Sequence, residues 1–144
     1  MLHVDSEQTY LQGAIHSFAQ QLIQEHNRGG ATIITNTYQC YLKRMKTLVP
    51  DEIAASKALG YNLGIKLVRG AYMIEERTVA AERGVESPVW DDINLTHECY
   101  NNNLAALIQN VGEHGLIMLA SHNVDSVALA KAEMASNGVD SNRV

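Results

Sequence analysis

The sequence predicts an α/β protein with a parallel sheet, and two observations support this fold class. Segments with helical spacing alternate with short segments typical of strands, in the order helix, strand, helix, strand, helix, strand, helix. The third helical region in this order contains two helical segments. Such alternation is typical of parallel sheets, because each helix returns the chain to the end where the next strand begins. Segment 116–120 is almost wholly apolar, as expected for a parallel strand buried on both faces. The 144 residues fit one domain.

Apolar residues that recur every three or four positions predict the helices. The predicted helices cover residues 6–26, 41–59, 74–83, 93–114 and 124–136. Asp5 stands where an N-cap of the first helix belongs, with Gln8 three residues later as in a capping box, and periodicity alone favours this role. Asn123 or Asp125 is placed to cap the last helix. Residues 75–77, which are all charged, are expected to face solvent.

Three strands are predicted, at residues 31–39, 64–73 and 116–120. The middle one, GIKLVRGAYM, places Ile65 and Leu67 on one face and Lys66 on the other. It then breaks at Gly70, where the backbone carries no side chain. This segment is therefore expected to hold a cation beside accessible backbone, where a flat or charged ligand can approach.

Polar residues collect where the predicted strands end. Gln39 closes the first strand, residues 69–72 close the second, and Ser121 and His122 follow the third. Carboxyl ends of parallel strands carry the sites of both open α/β sheets and (β/α)8 barrels. Asp5 would belong to the same edge if a strand preceded it, which weakens its assignment as a cap alone.

Composition and motifs exclude several classes of function. A net charge of -5 and a pI near 5.6 argue against a nucleic-acid partner, which requires a basic surface. Neither of the common glycine-rich nucleotide motifs occurs. The adjacent residues His97, Glu98 and Cys99 have the wrong spacing for a shared metal, so no metal site is expected. Cys40 and Cys99 are predicted to be buried thiols. No targeting segment is visible in the sequence.

Lys66 and His122 each admit more than one interpretation. Lys66 suits a Schiff-base lysine in an aldolase-like barrel, or a fixed cation that stabilises negative charge developing on a bound cofactor. A structural ion pair is the alternative for a lone lysine on a strand. His122 by itself is more typical of a capping or core histidine than of a catalytic one.

Five short blocks, in order along the chain, resemble one known family. They are residues 5–8 (DSEQ), 36–43 (NTYQCYLK), 66–72 (KLVRGAY), 76–77 (ER) and 120–123 (ASHN). Together they resemble the proline dehydrogenase (proline oxidase) family in its eukaryotic mitochondrial form. The resemblance extends over essentially all 144 residues.

The resemblance implies a (β/α)8 barrel that binds FAD noncovalently. It implies oxidation of L-proline to pyrroline-5-carboxylate by hydride transfer to flavin N5, the first step of proline catabolism, with electrons passed to a membrane quinone. It also implies a mitochondrial location, on the matrix side of the inner membrane. Asp5 and Lys66 correspond to the catalytic pair, although bacterial members carry arginine at the Lys66 position. The corresponding flavin contacts are Ser6, Gln39, Arg69, Gly70, Ala71, Tyr72, Ser121, His122 and Asn123.

By the same resemblance, residues 1–144 are expected to be the central segment of a catalytic barrel, about strands three to six, incomplete at both ends. The family's clamp for the proline carboxylate would lie outside this segment, which is expected to be inactive alone. Hydroxyproline dehydrogenase shares the same blocks and is the nearest alternative. An aldolase-like lyase using Lys66 and a noncatalytic interaction protein are the alternatives from other classes.

Overall fold

The computed structural model describes residues 1–144, and its four strands all run parallel. The elements are β1 (Leu2–Val4), α1 (Thr9–His26), β2 (Ile34–Gln39), α2 (Met45–Leu59), β3 (Gly64–Val68), α3 (Met73–Glu82), α4 (Ile93–Asn110), β4 (Leu116–Ala120) and α5 (Val124–Asn137). The order of strands in the sheet is the order along the chain. The predicted α/β fold with a parallel sheet is confirmed.

The sheet contains a strand that the sequence pattern did not predict. Residues Leu2–Val4 form β1 and pair with β2, where Leu2 lies opposite Ile34. Three residues are too few to establish a period of two, so only the pairing reveals this strand. Asp5 therefore follows a strand within the chain and lies at the same edge of the sheet as the other polar strand ends.

The prediction that Asp5 caps the first helix is wrong. Helix α1 begins at Thr9, and the residue before it, Gln8, makes no capping hydrogen bond with its side chain. Asp5 instead accepts hydrogen bonds from the backbone of Ser6 and from Lys66. The last predicted helix does have its expected cap, because Asn123 Oδ1 accepts a hydrogen bond from the backbone of Ser126.

The hydrophobic core lies between one face of the sheet and helices α2, α4 and α5. Ile65 and Leu67 of β3 project into it with 2% and 0% exposure, whereas Lys66 and Val68 on the opposite face are partly exposed. The two faces of β3 therefore differ as predicted. The expectation that residues 116–120 are buried on both faces is wrong, because Met118 is 42% exposed on the face opposite Ile117.

The N-terminus of α1 is capped from another helix. Glu76 of α3 accepts hydrogen bonds from the backbone nitrogen and the hydroxyl of Thr9, each at 2.5 Å. Glu76 is only 4% exposed, so the prediction that this residue faces solvent is wrong. A carboxylate at a helix N-terminus satisfies free backbone N–H groups and interacts favourably with the helix dipole.

Replacing Glu76 with alanine is expected to lower the free energy of unfolding by about 2 kcal/mol, because it leaves a partly buried helix terminus without its acceptor. Urea denaturation measures this change. Glu75→Ala, on the exposed side of the same helix, is the matched control and is expected to change stability by less than about 0.5 kcal/mol. Equal losses in the two variants would contradict the assignment.

None of the helices combines the length and apolar character needed to cross a bilayer.

Candidate active site

The carboxyl ends of β1, β3 and β4 surround a groove of about 490 Å³, here called the strand-end groove. Its lining residues come from the ends of these three strands and the segments that follow them: Asp5, Ser6, Lys66, Val68, Gly70, Ala71, Tyr72, Leu119, Ala120, Ser121 and His122. Eight of the eleven predicted site residues line this groove, and the other three, Gln39, Arg69 and Asn123, do not.

An ion pair lines the strand-end groove. Lys66 Nζ donates a hydrogen bond to Asp5 Oδ1 at 3.2 Å, and the side chains of Lys66 and Asp5 are 20% and 70% exposed. The pKa of Asp5 is lowered, chiefly by the hydrogen bond from the backbone of Ser6 and also by Lys66, while burial opposes the shift. The predicted catalytic pair is therefore in direct contact, with a carboxylate that stays ionised at neutral pH.

The segment after β3 leaves backbone open to the groove. Gly70 and Ala71 are exposed, so no large side chain covers this stretch. Tyr72 fixes its position from two directions, because its backbone N–H donates to Tyr41 Oη at 3.3 Å and its hydroxyl donates to the carbonyl of Ser6 at 3.5 Å. A planar ligand can approach a backbone that is held in place.

Gln39 lies at the predicted edge but does not line the strand-end groove. Its side chain is buried, with Nε2 donating to the carbonyl of Glu7 at 3.0 Å and Oε1 accepting from Tyr41 Oη at 2.5 Å. Burial raises the pKa of Tyr41 to about 12, so its hydroxyl keeps the proton that it donates. In this arrangement Gln39 and Tyr41 tie the ends of β1, β2 and β3 together.

Replacing Tyr41 with phenylalanine is expected to lower the free energy of unfolding by about 2 kcal/mol, because Gln39 Oε1 and the backbone N–H of Tyr72 both lose their partner. Thermal or urea denaturation measures the loss. Tyr10→Phe removes a hydroxyl from a 58% exposed side chain and is expected to be nearly neutral. A neutral Tyr41→Phe would show that this hydroxyl does not hold the strand ends.

Arg69 projects from β3 towards α4, on the face opposite Lys66. Its guanidinium lies 4.4 Å from the ring centre of Tyr100 and donates to Ser121 Oγ at 3.1 Å. It also contacts His97 Nδ1 at 2.5 Å and the hydroxyl of Ser126. Burial lowers the pKa of Arg69, and a guanidinium group keeps its charge in proteins. Arg69 therefore joins the end of β3 to α4 and α5.

A second cavity, of about 380 Å³, adjoins this network and is here called the α4 cavity. Gly70, Ser121 and His122 line both the α4 cavity and the strand-end groove, and Asn123 lines the α4 cavity. The two cavities thus form neighbouring spaces along the carboxyl edge of the sheet. Together they suit a ligand that is longer than either space.

Sequence reasoning missed the residues that support this edge. Tyr100 lies in the helix predicted at residues 93–114, where spacing alone indicates no further role, and the sequence pattern suggests only a metal-ligand interpretation for His97. Their contacts with Arg69 join positions about thirty residues apart, and no local pattern records such pairing. Tyr41 lies inside the block 36–43, so its position in that block was the one available signal.

The prediction on metal ligands and the prediction on cysteines both involve Cys99. The structure contains no group of three or more His, Cys, Asp or Glu side chains placed to hold a metal ion. Cys40 and Cys99 are buried free thiols, as predicted.

The fold and the site define an α/β protein of the barrel type, with its candidate active site at the carboxyl ends of parallel strands. The chain belongs to the proline dehydrogenase family, because the family profile described as Proline dehydrogenase matches residues 1–144.

Relatives of known name agree with this family. The chain is 35% identical to hydroxyproline dehydrogenase of Xenopus laevis, over 95% of this chain and 30% of that protein. It is 38% identical to mitochondrial proline dehydrogenase 1 of Caenorhabditis elegans, over 88% of this chain and 21% of that protein. It is 36% identical to the human mitochondrial proline dehydrogenase 1, over 96% of this chain and 23% of that protein. The chain thus spans less than a third of the length of each.

Solved structures show the same fold. Proline utilization A (PutA) from Bdellovibrio bacteriovorus superposes with a TM-score of 0.85 at 21% identity, over 98% of this chain and 15% of that chain. PutA from Bradyrhizobium japonicum superposes with a TM-score of 0.76 at 27% identity, over 93% of this chain and 14% of that chain. The predicted membership of the family and the predicted partial barrel are confirmed.

Proposed function

We propose that this chain forms part of the active site of an FAD-dependent enzyme that oxidises L-proline to pyrroline-5-carboxylate. The observation that carries the proposal is the contact of 3.2 Å between Lys66 and Asp5, which line the strand-end groove together with the exposed Gly70. Names of relatives support the substrate, since two of those described above are proline dehydrogenases.

The residues at the carboxyl edge fit a flavin. Accessible backbone at Gly70 and Ala71 leaves room for a flat ring, and Lys66 supplies a cation on the same face. The adjoining α4 cavity offers polar atoms for the rest of a long cofactor. The proposed direct contacts are Ser6, Arg69, Gly70, Ala71, Tyr72, Ser121, His122 and Asn123.

Gln39 is proposed to support the cofactor site from behind, whereas Arg69 lines the α4 cavity. Both side chains already make several hydrogen bonds within the protein, and neither lines the strand-end groove. Gln39 fixes the ends of β1 and β2, whereas Arg69 fixes the loops after β3 and β4. Gln39 is thus proposed to affect the cofactor through the surface that it positions, whereas Arg69 is proposed to contact the cofactor in the α4 cavity.

In the proposed reaction, bound FAD supplies the redox chemistry by accepting a hydride from the carbon next to the proline nitrogen. Lys66 stabilises the negative charge that develops beside it, as a cation held in place before the reaction begins. Asp5 fixes the orientation of the Lys66 ammonium group through its hydrogen bond. The groove walls orient the substrate and the cofactor relative to each other.

The remaining parts of the proposal rest on the family resemblance. A quinone at the membrane is the proposed electron acceptor, and the proposed location is mitochondrial, at the matrix side of the inner membrane. The names of the Caenorhabditis elegans and human relatives include the word mitochondrial. The isolated residues 1–144 are proposed to lack turnover of proline, because they span only part of the relatives' length.

Hydroxyproline is the second candidate substrate, favoured by the 35% identity with the Xenopus laevis hydroxyproline dehydrogenase. The aldolase-like alternative receives less support. The Lys66 ammonium group is paired with a carboxylate, which is the geometry of a fixed cation, whereas a Schiff-base lysine acts as a free amine.

A chimaera tests the proposal. Residues 1–144 replace the matched segment of the Caenorhabditis elegans proline dehydrogenase 1, and anaerobic flavin absorbance is followed as proline or hydroxyproline is added. Bleaching by proline is the expected result, and stronger bleaching by hydroxyproline selects the second candidate. A folded chimaera that binds no flavin, or that neither amino acid reduces, would overturn the proposal.

A further inference from the structure

Two thiols lie side by side behind the candidate active site. Cys40 follows β2 and is fully buried, and Cys99 belongs to α4 and is 8% exposed. Asn103 Nδ2 lies 3.7 Å from Cys40 Sγ and 3.5 Å from Cys99 Sγ, so both sulfur atoms share one amide group. The fold thus brings together the only two cysteines of the sequence.

Only one of the two thiols adjoins an accessible cavity. Cys99 lines a cavity of about 330 Å³ between α2 and α4, together with Lys46, Trp90 and Asn103. Cys40 does not line this cavity. A small solute that enters from the protein surface therefore meets Cys99 first.

The two thiols also differ in acidity. The neighbouring Cys40 thiol lowers the pKa of Cys99 most, with further lowering by Trp90 and Lys46, against the opposing effects of burial and of the Glu98 charge. Burial raises the pKa of Cys40. Cys99 is thus the better nucleophile, and Cys40 is the protonated partner beside it.

We propose that Cys40 and Cys99 form a reversible redox pair that closes to a disulfide when a hydroperoxide enters the cavity next to Cys99. The Cys99 thiolate attacks a peroxide oxygen and breaks the O–O bond, which yields a sulfenic acid and hydroxide. Cys40 sulfur then attacks the Cys99 sulfur, and the sulfenic hydroxyl leaves as water with the Cys40 proton. With hydrogen peroxide, two thiols lose two electrons and the peroxide becomes two waters.

The disulfide would connect two parts of the structure that support the strand-end groove. Cys40 follows Gln39, whose side chain joins the ends of β1 and β2. Cys99 precedes Tyr100, whose ring lies against Arg69. Oxidation would also alter the surroundings of Asn103, whose amide nitrogen lies near both sulfur atoms.

Thiol titration and mass spectrometry of the folded 144-residue chain test the proposal, using hydrogen peroxide as the probe. The expected result is loss of both thiols, a mass lower by two hydrogens, a Cys40–Cys99 cross-linked peptide and full recovery with dithiothreitol. Closure is expected to be roughly tenfold slower in urea, where the pair loses its high effective concentration. Thiols that survive in the folded chain, bonds only between molecules, or equal rates in urea would overturn the proposal.

Two variants separate the roles of the thiols. Cys40→Ser is expected to stop at a Cys99 sulfenic acid that dimedone traps, whereas Cys99→Ser is expected to leave Cys40 unreacted. Reaction of Cys40 at the wild-type rate in Cys99→Ser would contradict the assigned order.

Discussion

Replacing Lys66 with methionine is expected to slow the reduction of bound flavin by proline about a hundredfold, because the variant loses a fixed cation next to developing negative charge. Methionine keeps a similar length without the charge, so the shape of the strand-end groove is largely retained. Stopped-flow absorbance of the chimaera under anaerobic conditions measures the rate. Flavin absorbance before mixing shows whether the cofactor is still bound.

Two lysine variants serve as controls for this prediction. Lys66→Arg keeps a cation at the site and is expected to retain more activity than Lys66→Met, although its planar group changes the hydrogen bond to Asp5. Lys57→Met removes a lysine from the exposed side of α2 and is expected to leave the rate unchanged. A rate for Lys66→Met within about twofold of the original would refute the electrostatic role assigned under this mechanism.

Replacing Gly64 with alanine is expected to lower the free energy of unfolding by about 3 kcal/mol, because the added methyl group has no space. A Cβ atom at this position would lie 2.1 Å from the carbonyl oxygen of Ile34 and 3.0 Å from Asn27 Nδ2. Those two atoms already form a hydrogen bond of 2.7 Å. Relief of the clash therefore requires movement of β2 against β3, which are the two central strands of the sheet.

Urea denaturation of the 144-residue chain measures the effect of Gly64→Ala. Gly30→Ala is the matched control, since a Cβ atom there meets nothing within 4 Å and the backbone φ is not positive. Its free energy of unfolding is expected to change by less than about 0.5 kcal/mol. A Gly64→Ala variant as stable as the control would show that β2 and β3 leave space for a methyl group at this position.

The central strand and the polar strand ends were predictable because both depend on local order in the sequence. A period of two separated Lys66 from Ile65 and Leu67, and the structure shows that difference in burial. Parallel strands place their carboxyl ends at one edge, so the residues after each strand could be grouped before their contacts were known.

Other features depend on partners that are distant in sequence. The burial of Glu76 follows from its hydrogen bonds to Thr9, and the burial of Gln39 follows from those to Glu7 and Tyr41. The short strand β1 exists through its pairing with β2. A periodicity within one segment contains no information about these contacts, which explains why they were missed.

The sequence by itself determined the parallel α/β fold, the family and the set of polar residues at the strand ends. Only the tertiary structure decided which of those residues line the groove, which support it from behind, and that Cys40 lies beside Cys99. The physical reason is range: secondary structure follows from neighbours along the chain, whereas a side chain's partners are fixed by the packing of separate elements.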